Sequence, residues 1–571
     1  MNPRWETTPT LSPTLSQQKP AEEQAATPRP EVFPLPAIVI MASAFAVVVP
    51  FFFYGNASGH DFEFHLLSWM EVVHQWKEGI VWPRWAAFAH WTYGEARFLF
   101  YPPASWNLGA LLGVLLPWKI ASGAYVWLAL TTSGCSMFLL ARRWLSRSDA
   151  IFSAALYAAN PYYLVIVYWR SAFAELLAGC LLPLLLLFVM RAEKDGRRVI
   201  VALSLIVAAA WLTNAPSAVM VNYSLALLIV VAAIVQRKPA LLLYGGAAVV
   251  LGAGLASFYV IPAAHEEKWV NIAQVLAPGL RPQDNFFFTF SDDVDHNRFN
   301  MAVSLVGVAE ILLLAAAIFL ARRWRGEHRT IWWLLAAWGT VATLLMLPLT
   351  LIFWRYLPEL RFVQLPWRWL LCLNVAFTLF VTMGCRRWLT RFMICAAMLG
   401  VLAIVWHRVQ PPWWDTAADI QELHDFIEDG DGYEGTDEYV PAGVDPYELK
   451  KDAPQVATVS GDPAVIRIDR WGAQSKVFSA NVARLEKLRI RLLNYPAWRV
   501  EVNGREITAG TQPVTGEILI PVDTGSNRVR LTFVQTEDRL IGDLVSAGTL
   551  LLVIAWSLYL RRQEQVRNVS V

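Results

Sequence analysis

Seven residues, Gly59-His60-Asp61-Phe62-Glu63-Phe64-His65, follow the first apolar run and set two carboxylates and two imidazoles at a membrane boundary. Charge beside a bilayer is costly, so an acidic pair there is a functional candidate by default. The competing reading is a solvated interfacial loop. Asp61 and Glu63 are the candidate catalytic acids. They are two residues apart, so on a helix they point different ways, and Asp61 is the expected centre. It sits where a base or metal ligand would face both water and lipid head groups. The plainer alternative is that Asp61 only caps the helix that follows.

That helix is what must position the acid. Asp61, His65, Ser68 and Gln75 fall within a narrow arc at 100° per residue, while Phe62, Leu66, Trp69, Met70, Val73 and Trp76 supply apolar surface. The pattern predicts an amphipathic helix from Asp61 to Lys77, lying along the external leaflet. Its N-terminal turn favours an anion, including a substrate phosphate.

Other residues join the candidate binding set: His60, His65, Arg97, Tyr101, Arg170, Glu175 and Arg368. Arg97 suits phosphate, or pairs with Glu95. Tyr101 belongs to an aromatic-Pro turn, Phe100-Tyr101-Pro102-Pro103. Arg170 suits bidentate phosphate recognition, or pairs with Glu175 as a structural ion pair. Arg368 returns the chain to the membrane within Arg361–Trp369. Asp292, Asp293 and Asp295 are weak candidates for a hard divalent cation such as magnesium or manganese. They lack the spacing of a calcium loop, so a solvated face is the stronger reading.

The 571 residues are 56% hydrophobic and only 16% charged, with mean hydropathy +0.40. Apolar runs long enough to cross a bilayer recur from end to end, so the chain is a polytopic helical membrane protein. A net charge of +2 argues for no nucleic-acid partner. All five cysteines lie in apolar runs without metal-ligand spacing, which predicts neither disulfides nor a zinc site.

Residues 1–32 read as a disordered tail, and the apolar run after them as a retained anchor. Basic clusters at Arg142/Arg143/Arg147, Arg191–Arg198, Arg237/Lys238, Arg322–Arg329, Arg386–Arg391 and Arg561/Arg562 mark cytoplasmic loops. They predict about twelve spans with both termini inside. These lie near 33–53, 120–141, 150–168, 172–190, 199–213, 216–235, 240–262, 301–321, 331–351, 367–384, 391–407 and 540–560, before a tail at 561–571. The run 104–117 does not fit that count and reads as a short re-entrant or interfacial helix. The core, 33–407, thus carries external loops 54–119 and 263–300. Residues 408–539 form an external domain, with short alternating runs from about 455 that predict a β-sandwich.

His60-Asp61, Phe100-Tyr101-Pro102-Pro103, Arg170…Glu175, Gln364-Leu365-Pro366-Trp367-Arg368 and Asn494-Tyr495-Pro496-Ala497-Trp498-Arg499 resemble the YfhO-like and pyruvoyl-tetrahydropterin-synthase-related bacterial membrane proteins. Both families are similar to the C-type (GT-C) integral-membrane glycosyltransferases. The resemblance spans about 35–560 and implies a GT-C-like fold in the bacterial inner membrane, with its working face periplasmic. It also implies transfer of a sugar from a polyprenyl-phosphate-linked donor to a glycan, lipid or protein acceptor. Asp61 matches the essential acid that such enzymes carry after span one, with Glu63 adjacent. The sequence here is His-Asp-Phe-Glu rather than two adjacent acids, so neither the acid nor a metal requirement is decided. Two other classes compete: a glycolipid transporter or flippase, and a non-catalytic cell-envelope assembly factor.

Overall fold

Apolar runs without room for water must satisfy their own backbone, and in this chain they do so as helices. The computed structural model describes residues 34–404 and 413–569; the tail expected at 1–32 lies outside the described residues. Among these, eight helices are long and apolar enough to cross a membrane, or ten if two bent pairs each count as one span. The expectation was about twelve. Part of the difference lies in Phe173–Thr213, which is one apolar helical run of 41 residues. It is broken at Gly196, whose φ of 55° lets the chain turn, so that Val199–Thr213 packs back on Phe173–Ala178 and Leu181–Asp195. The rest lies in Trp388–Ile404, a helix of only 17 residues. The expected spans near 240–262 and 331–351 are the bent pairs, with bends of 76° and 92°.

The helices have two distinguishable ends. At one end Trp169 and Trp367 both meet Phe299, with ring centroids 5.8 and 5.7 Å away. At the other, a Cβ on Gly384 would stand 3.1 Å from Leu320 Cβ. Val294–Leu320 and Leu370–Gly384 therefore run parallel, and Arg322 lies at the end remote from Trp367.

The Phe62–Lys77 helix forms where the periodicity places it, but most of its polar arc is packed against protein. His65, Ser68, Glu71 and Gln75 are all buried. The polar arc faces protein because residues 85–97 bring it partners: Arg97 donates to Ser68 Oγ at 3.0 Å, and Gln75 Nε2 donates to the Trp85 carbonyl at 2.8 Å. Pro103–Leu115, the run that did not fit the span count, is a helix of 13 residues packed on Phe62–Lys77.

Residues 456–533 form two antiparallel sheets, of four and five strands. The central strands Glu486–Leu493 and Gly525–Phe533 bury alternate residues, and both sheets contribute to one apolar cluster that includes Phe478, Ile490, Ile518 and Val529. Asn503 and Gly504, at φ 52° and 77°, turn Trp498–Val502 back onto Arg505–Ile507. A buried fork joins this region to the membrane helices. Arg539 donates to Glu266 through Nε at 2.7 Å and Nη2 at 2.8 Å, and Tyr495 donates its hydroxyl to the same carboxylate at 2.5 Å.

Candidate functional site

The site begins with backbone. Val165 ends a short helix, and Ile166–Arg170 continues as a π-helix whose last residue precedes Ser171, at a left-handed φ of 49°. A widened turn of this kind is frequent where a helix carries a function. Its exposed carbonyls receive the residues before the Phe62–Lys77 helix: His60 N–H donates to the Trp169 carbonyl at 3.2 Å and Asp61 N–H to that of Arg170 at 2.8 Å. Gly59 N–H donates to Ser171 Oγ at 2.9 Å, and that hydroxyl donates to the Ala57 carbonyl. Gly59 is a glycine because of this approach: a Cβ there would stand 2.6 Å from the Trp169 carbonyl carbon.

Asp61 is the residue before the helix, yet its side chain makes no capping bond to the helix. The capping alternative is thereby removed. The carboxylate instead contacts His60 Nδ1 through Oδ1 at 2.9 Å and Arg170 Nη2 through Oδ2 at 3.7 Å, and it stays one-third exposed. Behind it, Arg170 pairs with buried Glu175 at 2.5 Å and lies 5.0 Å over the Trp367 ring. Glu175 also holds Arg368, whose Nε is 3.1 Å from Oε2, and accepts the Tyr162 hydroxyl at 2.5 Å. Arg368 in turn donates to the Val363 carbonyl and to Gln364 Oε1. Residues 61, 170, 175 and 368 thus form one chain of alternating charge: carboxylate, guanidinium, carboxylate, guanidinium.

The surroundings polarise this chain. Burial pushes the Asp61 carboxyl up, but the His60 hydrogen bond and the Arg170 charge outweigh it and hold it well below the usual carboxylate range. His60 is raised by its bond to Asp61 and by that residue's charge, against burial and the two arginines. His65 behaves oppositely: burial, with Arg170 and Arg97, pushes it down to about 4 despite Asp61. It is a neutral imidazole whose Nε2 has no hydrogen-bond partner, between the Phe173 and Tyr101 rings at 5.2 and 5.7 Å. Burial and the Asp61 charge raise the Tyr101 hydroxyl well above its ordinary value.

Three groups of sequence candidates stand elsewhere. Glu63 is exposed, and burial together with the charges of Asp415 and Glu434 raises its carboxyl. Arg97 is buried and bonded to Glu95 at 2.6 Å, inside a network with His90, Tyr433 and Thr436, which is the structural ion-pair alternative. Asp293 caps Val294–Leu320 by accepting from the Asp295 and His296 amides, and Asp295 pairs with Arg298 in solvent. Among the described residues, no group of three or more His, Cys, Asp or Glu side chains is arranged to hold a metal ion. Sequence reasoning missed Tyr162, which reaches the site only through packing, and quoted Trp367 beside Arg368 without giving its ring a role under Arg170.

A family model described as a 6-pyruvoyl-tetrahydropterin synthase related domain of membrane proteins matches residues 98–410. No curated protein matches the chain by sequence. Among solved structures, ArnT from Cupriavidus metallidurans bound to undecaprenyl phosphate is similar at 13% identity and a TM-score of 0.42, over 68% of this chain and 75% of that one. The arabinofuranosyltransferase AftD from Mycobacteria is similar at 17% identity and a TM-score of 0.40, over 66% of this chain and 27% of that one. The model covers more than half of the sequence, including Arg170, Glu175 and Arg368, and the chain belongs to the 6-pyruvoyl-tetrahydropterin synthase related family of membrane proteins.

Proposed function

We propose that this protein is an integral-membrane glycosyltransferase of the bacterial inner membrane. It moves a sugar from a polyprenyl-phosphate-linked donor to a glycan, lipid or protein acceptor on the external face. One observation carries the reading: a part-exposed, uncapped Asp61 carboxylate backed at 3.7 Å by Arg170, with Arg368 joined through Glu175. A glycosyl transfer from a lipid phosphate needs an anion near the anomeric carbon and cations near the leaving phosphate, and these residues supply both.

In this scheme the acceptor oxygen bonds to the anomeric carbon as the bond from that carbon to the phosphate oxygen breaks. Asp61, ionised throughout, orients the acceptor hydroxyl and stabilises positive charge developing on the sugar. The proton leaves to the Asp61–His60 pair, where neutral His60 is the stronger base. Arg170 and Arg368 offset the charge that grows on the lipid phosphate, and Tyr101 and His65 form an aromatic, uncharged wall beside it. A divalent cation would have Asp61 as its protein anchor, and among the described residues no cluster of three or more His, Cys, Asp or Glu side chains surrounds it.

The test compares wild type with Asp61→Asn in nanodiscs, on a panel of polyprenyl-phosphate sugars and a glycan acceptor extract, with and without magnesium or manganese. Mass spectrometry follows loss of the lipid-linked sugar. Wild-type turnover that falls by about a hundredfold or more in the variant, at unchanged melting temperature, supports the assignment. Equal turnover in both removes Asp61 from the chemistry.

A further inference from the structure

A second site lies at the opposite end of the helices. A cavity of about 770 Å³ opens between Ala215–Gln236 and Arg329–Leu345, and Arg322, Arg325 and Arg329 line its mouth. It lies beside the Leu320 end of Val294–Leu320, remote from Trp367 and the Asp61 cluster. By the excess of basic residues this is the cytoplasmic boundary. We infer that this cavity holds the head group of an anionic membrane phospholipid, with its acyl chains along the apolar wall.

Three features support that occupant. The first is charge. Residues 322–329 contain four arginines and one glutamate. Among the described residues none of the three lining arginines is in an ion pair; instead Arg322 lies 4.2 Å over Phe319, and Arg325 lies 4.7 Å over Trp333 and 5.3 Å over Trp332. Stacking fixes a guanidinium plane while leaving its edge N–H groups to bind a phosphate in pairs. The second is the wall. Val231, Ile234 and Val235 line the cavity from the Ala215–Gln236 helix, and Ile234 is 70% exposed. A soluble phosphate would gain nothing from that wall, whereas an acyl chain would be continuous with the bilayer. The third is size: the volume is in the range of small-molecule sites and far exceeds one phosphate. Basic pockets between spans on the cytoplasmic side are a recurrent way to hold acidic lipids.

Native mass spectrometry of the full-length protein, titrated with phosphatidylglycerol or phosphatidylcholine, tests this directly. Wild type is expected to retain phosphatidylglycerol in preference to phosphatidylcholine. The triple variant Arg322→Ala/Arg325→Ala/Arg329→Ala should lose about tenfold or more of that affinity, while Arg561→Ala/Arg562→Ala retains it. Excess inorganic phosphate should not displace the lipid from wild type. Equal retention of the two lipids by wild type, a measurement that needs no variant, would overturn the inference. So would equal phosphatidylglycerol binding by wild type and the triple variant, or displacement by inorganic phosphate, which would reassign the site to a soluble anion.

Discussion

Asp61 Oδ2 lies 3.7 Å from Arg170 Nη2 because their backbones are already joined, the Asp61 N–H donating to the Arg170 carbonyl at 2.8 Å. The contact therefore ties the start of the Phe62–Lys77 helix to the end of a candidate membrane span more than a hundred residues later. Glu175 then passes the same constraint to Arg368. The acid and the two cations form a preorganised unit whose parts are expected to respond to mutation together.

Glu175→Gln should damage the fold more than the mouth of the site. The carboxylate lies buried between two guanidiniums, and its loss leaves both under-compensated, a change that typically costs about 3–5 kcal/mol. Melting in detergent is the measurement; an unaltered transition would mean that Arg170 and Arg368 find other partners.

Gly59→Ala should displace Asp61. The added Cβ would stand 2.6 Å from the Trp169 carbonyl carbon, and backbone does not yield as a side chain does. A loss of about 1–3 kcal/mol is expected, with reduced donor turnover. Gly246→Ala, where nothing lies within 4 Å, serves as the control and should melt as wild type.

The pH profile should carry the signature of His60. Its pKa is raised above 6.5, chiefly by the bond to Asp61, so it keeps its proton past the ordinary imidazole range. Donor turnover should rise as pH passes upward through that raised value and neutral His60 becomes able to accept a proton. The stabilising His60–Asp61 ion pair has the opposite sense: present at lower pH, it weakens over the same rise. His60→Gln should abolish the limb, and a limb that survives in this variant assigns it to another group.

Glu63→Gln and Arg97→Met should separate in effect. Glu63 is solvent-exposed, so its variant should melt within about 0.5 kcal/mol of wild type and turn over the donor normally. Arg97→Met strands Glu95 in a buried network and should lower the melting temperature while leaving the KM for donor unchanged. A raised KM in the second variant would return Arg97 to the phosphate site.

The membrane class and the family were legible in the sequence, which also singled out His60-Asp61 as a candidate. Hydropathy, short motifs and a 3.6-residue period are local properties, and the Phe62–Lys77 helix formed where its period placed it. Tertiary structure decided what the local pattern could not. It turned the polar arc of that helix inward, because Arg97 and the Trp85 carbonyl meet Ser68 and Gln75 there. It separated Asp61 from Glu63, since two residues at a helix start project in different directions and only one faces the π-helical turn ending at Arg170. It paired Arg170 and Arg368 with Glu175 and Arg97 with Glu95, and these pairings depend on packing between segments distant in sequence. It also folded and bent the apolar runs, because a run's length permits a span but its neighbours and its breaks determine its path.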